Sequence, residues 1–137
     1  MIHLVWSTKN RIPFLRNEIR TVILDHIRSN SVEKGIYIDF INCHVDHVHC
    51  LISMGADQNI AKIASLLKGE SSHWINQQKL VAGKFSWQDE YFAVSVSESN
   101  IARVQEYIRN QEIHHLRKTF QEEYDEFLRV FKFKKLA

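Results

Sequence analysis

At 137 residues, 45% hydrophobic and 25% charged, the chain has the size and composition of one soluble globular domain with its own core. Four glycines and one proline exclude a long low-complexity segment, two cysteines make no disulfide framework, and no stretch approaches the roughly 20 apolar residues that span a bilayer. A net charge of +2 is too small to decide for or against nucleic acid, so local clusters carry that question.

Residues 2–8, Ile-His-Leu-Val-Trp-Ser-Thr, read as a strand. No basic segment and small-residue cleavage site mark the start as a signal peptide, and Cys43 and Cys50 read as reduced thiols, so the expected location is the cytoplasm. Lys9-Asn10-Arg11-Ile12-Pro13 follows as a turn with two positive charges. From Asn17 to Lys34 the pattern is helical, with Ile19, Val22, Ile23 and Ile27 on one face and Gly35 placed for a C-terminal cap.

Residues 36–43 form a second strand, and a short link leads into a third, in which His47-Val48-His49-Cys50-Leu51-Ile52 alternates. Successive strand side chains point to opposite faces, so His47 and His49 share one face, about 6–7 Å apart along it. Val48, Cys50 and Ile52 share the other, which reads as the core side. Two imidazoles so placed can converge on one metal ion; an isolated His-x-His is equally compatible with two half-exposed strand histidines that bind nothing.

After Gly55-Ala56-Asp57, either Asp57 or Asn59 can cap a helix running to Gln78, with Ile60, Ile63, Leu67 and Trp74 on its apolar face. Gly69 interrupts this helix and marks a weak spot or a close contact. A fourth strand region spans Phe85 to Val96, Ser97-Glu98-Ser99-Asn100 offers N-caps for a last helix over about 100–118, and a charged tail follows from Gln121. On that helix Ile101, Val104 and Ile108 form the stripe, flanked by Tyr107 and Gln111, which lie one turn apart. By themselves they fit a boundary aromatic and a solvated amide; Arg103, Arg109, Arg117 and Lys118 fit a solvated face or a track for a phosphate backbone. Of the other tyrosines, Tyr37 and Tyr91 lie in strand segments and are expected to be packed, and Tyr124 sits in an acidic run that would repel a phosphodiester.

The order β-α-β-β-α-β plus a C-terminal helix predicts an α+β fold of the ferredoxin-like split βαβ kind, one domain over 1–137. Its sheet is expected to be antiparallel with helices on one face and the other face open.

Taken in order, these segments resemble the HUH single-strand DNA transposases of bacterial insertion sequences, the small single-tyrosine type. His3-Leu4-Val5-Trp6-Ser7-Thr8-Lys9-Asn10-Arg11 is similar to the family's first strand and turn, and Asp46-His47-Val48-His49-Cys50-Leu51-Ile52 to its histidine motif. Leu67-Lys68-Gly69-Glu70-Ser71-Ser72 is similar to its second helix, Trp87-Gln88 with Phe92-Ala93-Val94-Ser95-Val96-Ser97 to its last strand, and Tyr107-Ile108-Arg109-Asn110-Gln111 onward to its tyrosine helix. One departure is that Phe92 follows Tyr91 where the family is expected to carry glycine. The resemblance implies metal-dependent cleavage and rejoining of single-stranded DNA with hairpin ends through a covalent 5′-phosphotyrosine. Tyr107 would be the nucleophile; His47, His49 and Gln111 would be ligands to Mg²⁺ or Mn²⁺; and the protein would be a homodimer with no membrane role. Competing readings are another HUH endonuclease, a non-catalytic DNA-binding descendant on the same fold, and a structural zinc protein, for which two histidines without cysteine partners are too few.

Overall fold

The computed structural model describes residues 1–110 together with residues 122, 125 and 129. Strand β1 (Ile2–Thr8), helix α1 (Asn17–Glu33), strands β2 (Tyr37–Cys43) and β3 (His47–Ser53), helix α2 (Ile60–Gln77), strand β4 (Trp87–Ser95) and helix α3 (Ile101–Arg109) follow in chain order. The strands form one sheet in the order β2-β3-β1-β4, every neighbouring pair antiparallel, which is the ferredoxin-like split βαβ topology of an α+β fold. β1 and β3 are the interior strands.

Alternation along those interior strands builds a core on each face. Leu4, Trp6, Val48, Cys50 and Ile52 point toward α1 and α2 and meet Ile23, Ile27, Ile63, Leu67 and Ile75. Val5, Leu51, Phe92 and Val94 point the other way and meet Val104, Tyr107 and Ile108 of α3. The face expected to be open is therefore covered. An amphipathic helix must bury its stripe somewhere, and burying each of these side chains is worth about 1.5–3 kcal/mol. Polar contacts fix where α3 sits: Gln105 donates to the Asp39 carboxylate at 2.7 Å, Asn42 donates to the Ile108 carbonyl at 3.1 Å, and the Arg109 guanidinium lies 5.4 Å from the centre of the Phe40 ring. α3 ends at Arg109, with Asn110 in a turn donating to the Glu106 carbonyl. The rest of the helix expected to 118, Gln111 included, and the tail's Tyr124 lie outside the described residues.

On α1, Ile23 and Ile27 are buried and Ile19 is partly so, but Val22 is 47% exposed, off the edge of the stripe to which spacing assigned it. Gly35 takes φ +70°, and its N–H and that of Ile36 close the helix end on the carbonyls of Val32 and Ser31. At the start of α2 the Asn59 side chain accepts from the Lys62 N–H at 2.8 Å, so Asn59 rather than Asp57 is the cap. α2 runs unbroken through Gly69, where an added Cβ would meet nothing within 4 Å, so the close contact is not found. Trp74 is only partly buried and instead stacks on His26 of α1, ring centres 3.9 Å apart.

The exit of β1 is pinned beside the β2–β3 turn. Thr8 N–H donates to the Asp46 carbonyl at 2.7 Å, and Leu15 N–H to the Val45 carbonyl at 2.8 Å. Asn10 and Arg11 both adopt φ +56°, the left-handed region, which is uncommon for a residue such as arginine. Two hydrogen bonds from the Arg11 guanidinium to the Asp46 carboxylate, at 3.0 and 3.3 Å, hold it there.

Candidate active site

The β3 histidines lie on the α3 side of the sheet, as their parity requires, and both are 0% exposed. Their ring centres are 5.2 Å apart. Tyr107, 6% exposed, reaches them from α3, its ring centre 6.2 Å from that of His49. The structure thus brings three of the four expected residues together, in a buried cluster rather than on an open strand face.

Each histidine is held at Nδ1. His47 Nδ1 is hydrogen-bonded to the carboxylate of Asp46, which Arg11 grips from the other side. Burial alone would raise the Asp46 pKa, but hydrogen bonds from His47 and Arg11 and their charges hold it below the usual carboxylate range. His49 Nδ1 lies 2.8 Å from Nε2 of His3, a residue of β1 whose ring meets that of His49 edge to edge, with centres 4.9 Å apart and planes inclined by 29°. The remaining nitrogen of each ring is Nε2, and His47 Nε2, His49 Nε2 and the Tyr107 hydroxyl oxygen are all buried.

This arrangement fits a divalent ion. Two imidazoles bound to one ion through Nε2, at metal–nitrogen distances of about 2.1 Å and an angle near 90–110°, have ring centres about 4.5–5.5 Å apart. Metal-bound histidines also characteristically have their other ring nitrogen hydrogen-bonded to a carboxylate or comparable group. A second grouping, His44, Asp46 and His47, has potential ligand atoms within 4.8 Å of one another. Its carboxylate is also engaged by Arg11 and the Nδ1 atom of His47.

The other reactive groups lie elsewhere. Cys50 faces α1 and α2, and burial pushes its thiol pKa up, which removes it from any zinc site with the histidines. Tyr91 packs on that same side beneath Lys68, whereas Tyr37 is 62% exposed instead of packed. Phe92, where glycine was expected, leaves β4 paired in register with β1 across Val5 and Trp6 and fills the core beside His3, ring centres 6.2 Å apart. Sequence reasoning did not single out His3, Arg11 or Asn42 as site residues. The alternation of His3 with Val5 was the available signal, and it needs the β1–β3 register, Val5 opposite His49, to become a contact.

A ferredoxin-like sheet with paired histidines on an interior strand and a tyrosine helix over them defines the HUH class of single-strand DNA endonucleases and transposases. Residues 1–111 match the family model described as "Transposase IS200 like", and the chain belongs to that family, the single-tyrosine transposases of insertion sequences. It is 30% identical over 115 residues to the ISDra2 transposase TnpA of Deinococcus radiodurans, covering 80% of this chain and 81% of that one. With the transposase for insertion sequence element IS200 of Salmonella typhimurium it shares 27% over 115 residues, covering 80% and 74%. Among solved structures, a candidate transposase of D. radiodurans R1 superposes with a TM-score of 0.61 at 28% identity, over 80% of this chain and 88% of that one. A REP-associated tyrosine transposase bound to a REP hairpin shares the fold, with a TM-score of 0.64 at 14% identity, over 83% and 67%. No described helix is long and apolar enough to cross a membrane.

Proposed function

We propose that residues 1–137 act as one catalytic domain that cleaves and rejoins single-stranded DNA at insertion-sequence ends through a covalent 5′-phosphotyrosine on Tyr107. The observation that carries this reading is the buried cluster of His47, His49 and Tyr107, in which both Nε2 atoms and the phenol oxygen are buried. His47 and His49 hold the metal through Nε2, and Gln111 adds its amide oxygen, a role taken from the resemblance. Two imidazoles suit Mn²⁺ better than Mg²⁺, and both are expected to support activity. When bound, the ion supplies positive charge to a non-bridging phosphate oxygen.

The chain's own residues do the rest. The Tyr107 oxygen attacks the scissile phosphorus, forming a Tyr–O–P bond as the bond to the 3′ oxygen breaks. The phenol proton passes to solvent, and the 3′ oxygen takes up a proton and leaves as a hydroxyl. Free tyrosine, with a pKa near 10, is only about one part in a thousand ionised at neutral pH, so activation beside a cation matters. One phosphodiester replaces another, and the reverse attack by a 3′-hydroxyl rejoins strands without a nucleoside triphosphate. Asp46 and Arg11 hold the His47 ring throughout.

The cluster is buried, with Tyr107 beside its own His49, so admitting a phosphodiester requires α3 to shift. The family resemblance supports a homodimer, and the REP hairpin bound to a neighbour in fold supports hairpin-ended DNA as substrate. The expected workplace is the cytoplasm. The test is to incubate the chain with hairpin-ended single strands or with blunt duplex, with Mn²⁺ or with a chelator, and to resolve products on a denaturing gel. A covalent adduct is expected with the single strands and Mn²⁺ only. Comparable cleavage of the duplex, or undiminished adduct with chelator, would refute the proposal.

A further inference from the structure

The two candidate ligands are held by partners of different chemistry. His47 leans on a carboxylate, itself anchored by Arg11. His49 leans on another imidazole, His3, reached across the sheet from β1. His3 is 0% exposed, with Leu51 and Val94 as its strand neighbours and its ring set edge-on to Phe92, so its position is built rather than incidental.

Between two neutral imidazoles 2.8 Å apart, one nitrogen must donate and the other accept. A metal taking the Nε2 lone pair of His49 leaves the single ring proton on Nδ1. We propose that His3 is a positioning residue: its Nε2 accepts that proton and so fixes both the tautomer and the ring orientation in which His49 presents Nε2 to the metal. The ring proton of His3 in this tautomer sits on Nδ1. One orienting partner is thus anionic and the other is not, which preserves more of the ion's charge for phosphate than two carboxylates would. This inference rests on the reading of His47 and His49 as metal ligands.

Two readouts test it. Long-range ¹H–¹⁵N spectra of the metal-free chain report the tautomer of each imidazole, and Mn²⁺ titration by calorimetry reports affinity without any DNA. The wild type should show His49 protonated at Nδ1. His3→Phe, which keeps a ring and removes the acceptor, should lose this uniform tautomer and bind Mn²⁺ about 10–100-fold more weakly. His3→Gln, whose amide oxygen falls near the position of Nε2, should bind within a few-fold of wild type. Should His3→Phe fail to fold, the wild-type spectrum and the Gln variant still decide. His49 protonated at Nε2 in the wild type, or equal Mn²⁺ affinity for wild type and folded His3→Phe, overturns the inference alone. A wild type that binds no Mn²⁺ overturns the metal reading and the inference with it.

Discussion

Replacing Tyr107 with phenylalanine separates chemistry from packing more cleanly than any other single change in this chain. The ring is packed with Val5, Leu51, Val104 and Ile108 between α3 and the sheet, and the substitution keeps all of that surface. What disappears is one buried hydroxyl, worth about 0.5–1.5 kcal/mol if its hydrogen bond is lost. For a domain of this size, that lowers Tm by about 2–7 °C. Tyr107→Ala would instead empty the ring's volume, costing about 3–5 kcal/mol and about 10–20 °C, and could not distinguish a lost nucleophile from a displaced helix. Tyr107→Phe should therefore melt close to wild type and bind hairpin-ended DNA normally, yet form no covalent adduct in the presence of Mn²⁺. In the wild type, mass spectrometry of the digested adduct should place the nucleotide on the peptide containing Tyr107. An adduct mapped to Tyr37, Tyr91 or Tyr124, or one that persists in the Phe variant, would refute the assignment.

His47→Ala or His49→Ala should abolish cleavage and leave hairpin binding within a few-fold, because affinity comes mainly from basic side chains on phosphates; near-normal cleavage by the double variant would count against the site. Asp39→Ala removes the acceptor of Gln105, and backbone amides of α3 should then exchange faster with solvent while those of β1 and β3 keep their protection; uniform exchange across the chain would contradict a separately docked helix. Asn59→Ala removes the cap of α2 and should lower stability by about 1 kcal/mol, seen as a Tm drop of about 3–5 °C with adduct formation intact. Cys43 and Cys50 are both buried, and burial pushes the Cys50 thiol up. Native protein should thus resist iodoacetamide at mildly alkaline pH until denaturant is added, and rapid labelling of the folded chain would refute the packing described.

The periodicity of two was enough to put His47 and His49 on one face and Val48, Cys50 and Ile52 on the other, because that parity is a local property of an extended chain. The order of elements likewise pointed to the sheet topology. Local pattern did not reach the partner of α3. A stripe of Ile101, Val104 and Ile108 states that the helix must bury something, but its seat against Asp39, Phe40 and Asn42 depends on long-range complementarity. Val22 was misplaced for a related reason: apolar spacing defines a stripe about 100° wide, and only packing decides which flank is covered. Tyr37 escaped because residues of an edge strand are free on one side, so an aromatic there need not be packed. The contact of His3 with His49, 46 positions apart, is invisible without strand register.

That same separation governs when the site comes into being as the chain folds. No continuous stretch carries it: His3 comes from β1, His49 from β3 and Tyr107 from α3, each pair joined only by closing a long loop. Loop closure must be completed before such contacts reward it, so non-local strand pairing is a slow event in folding. His47 has Asp46 beside it from the start, but His49 meets His3 only once β1 lies against β3, and Tyr107 reaches His49 only once α3 finds the finished sheet. A chain that is incomplete or misregistered by one residue has its imidazoles on the wrong side or unheld, and so lacks the proposed site with which it would act on the DNA around it.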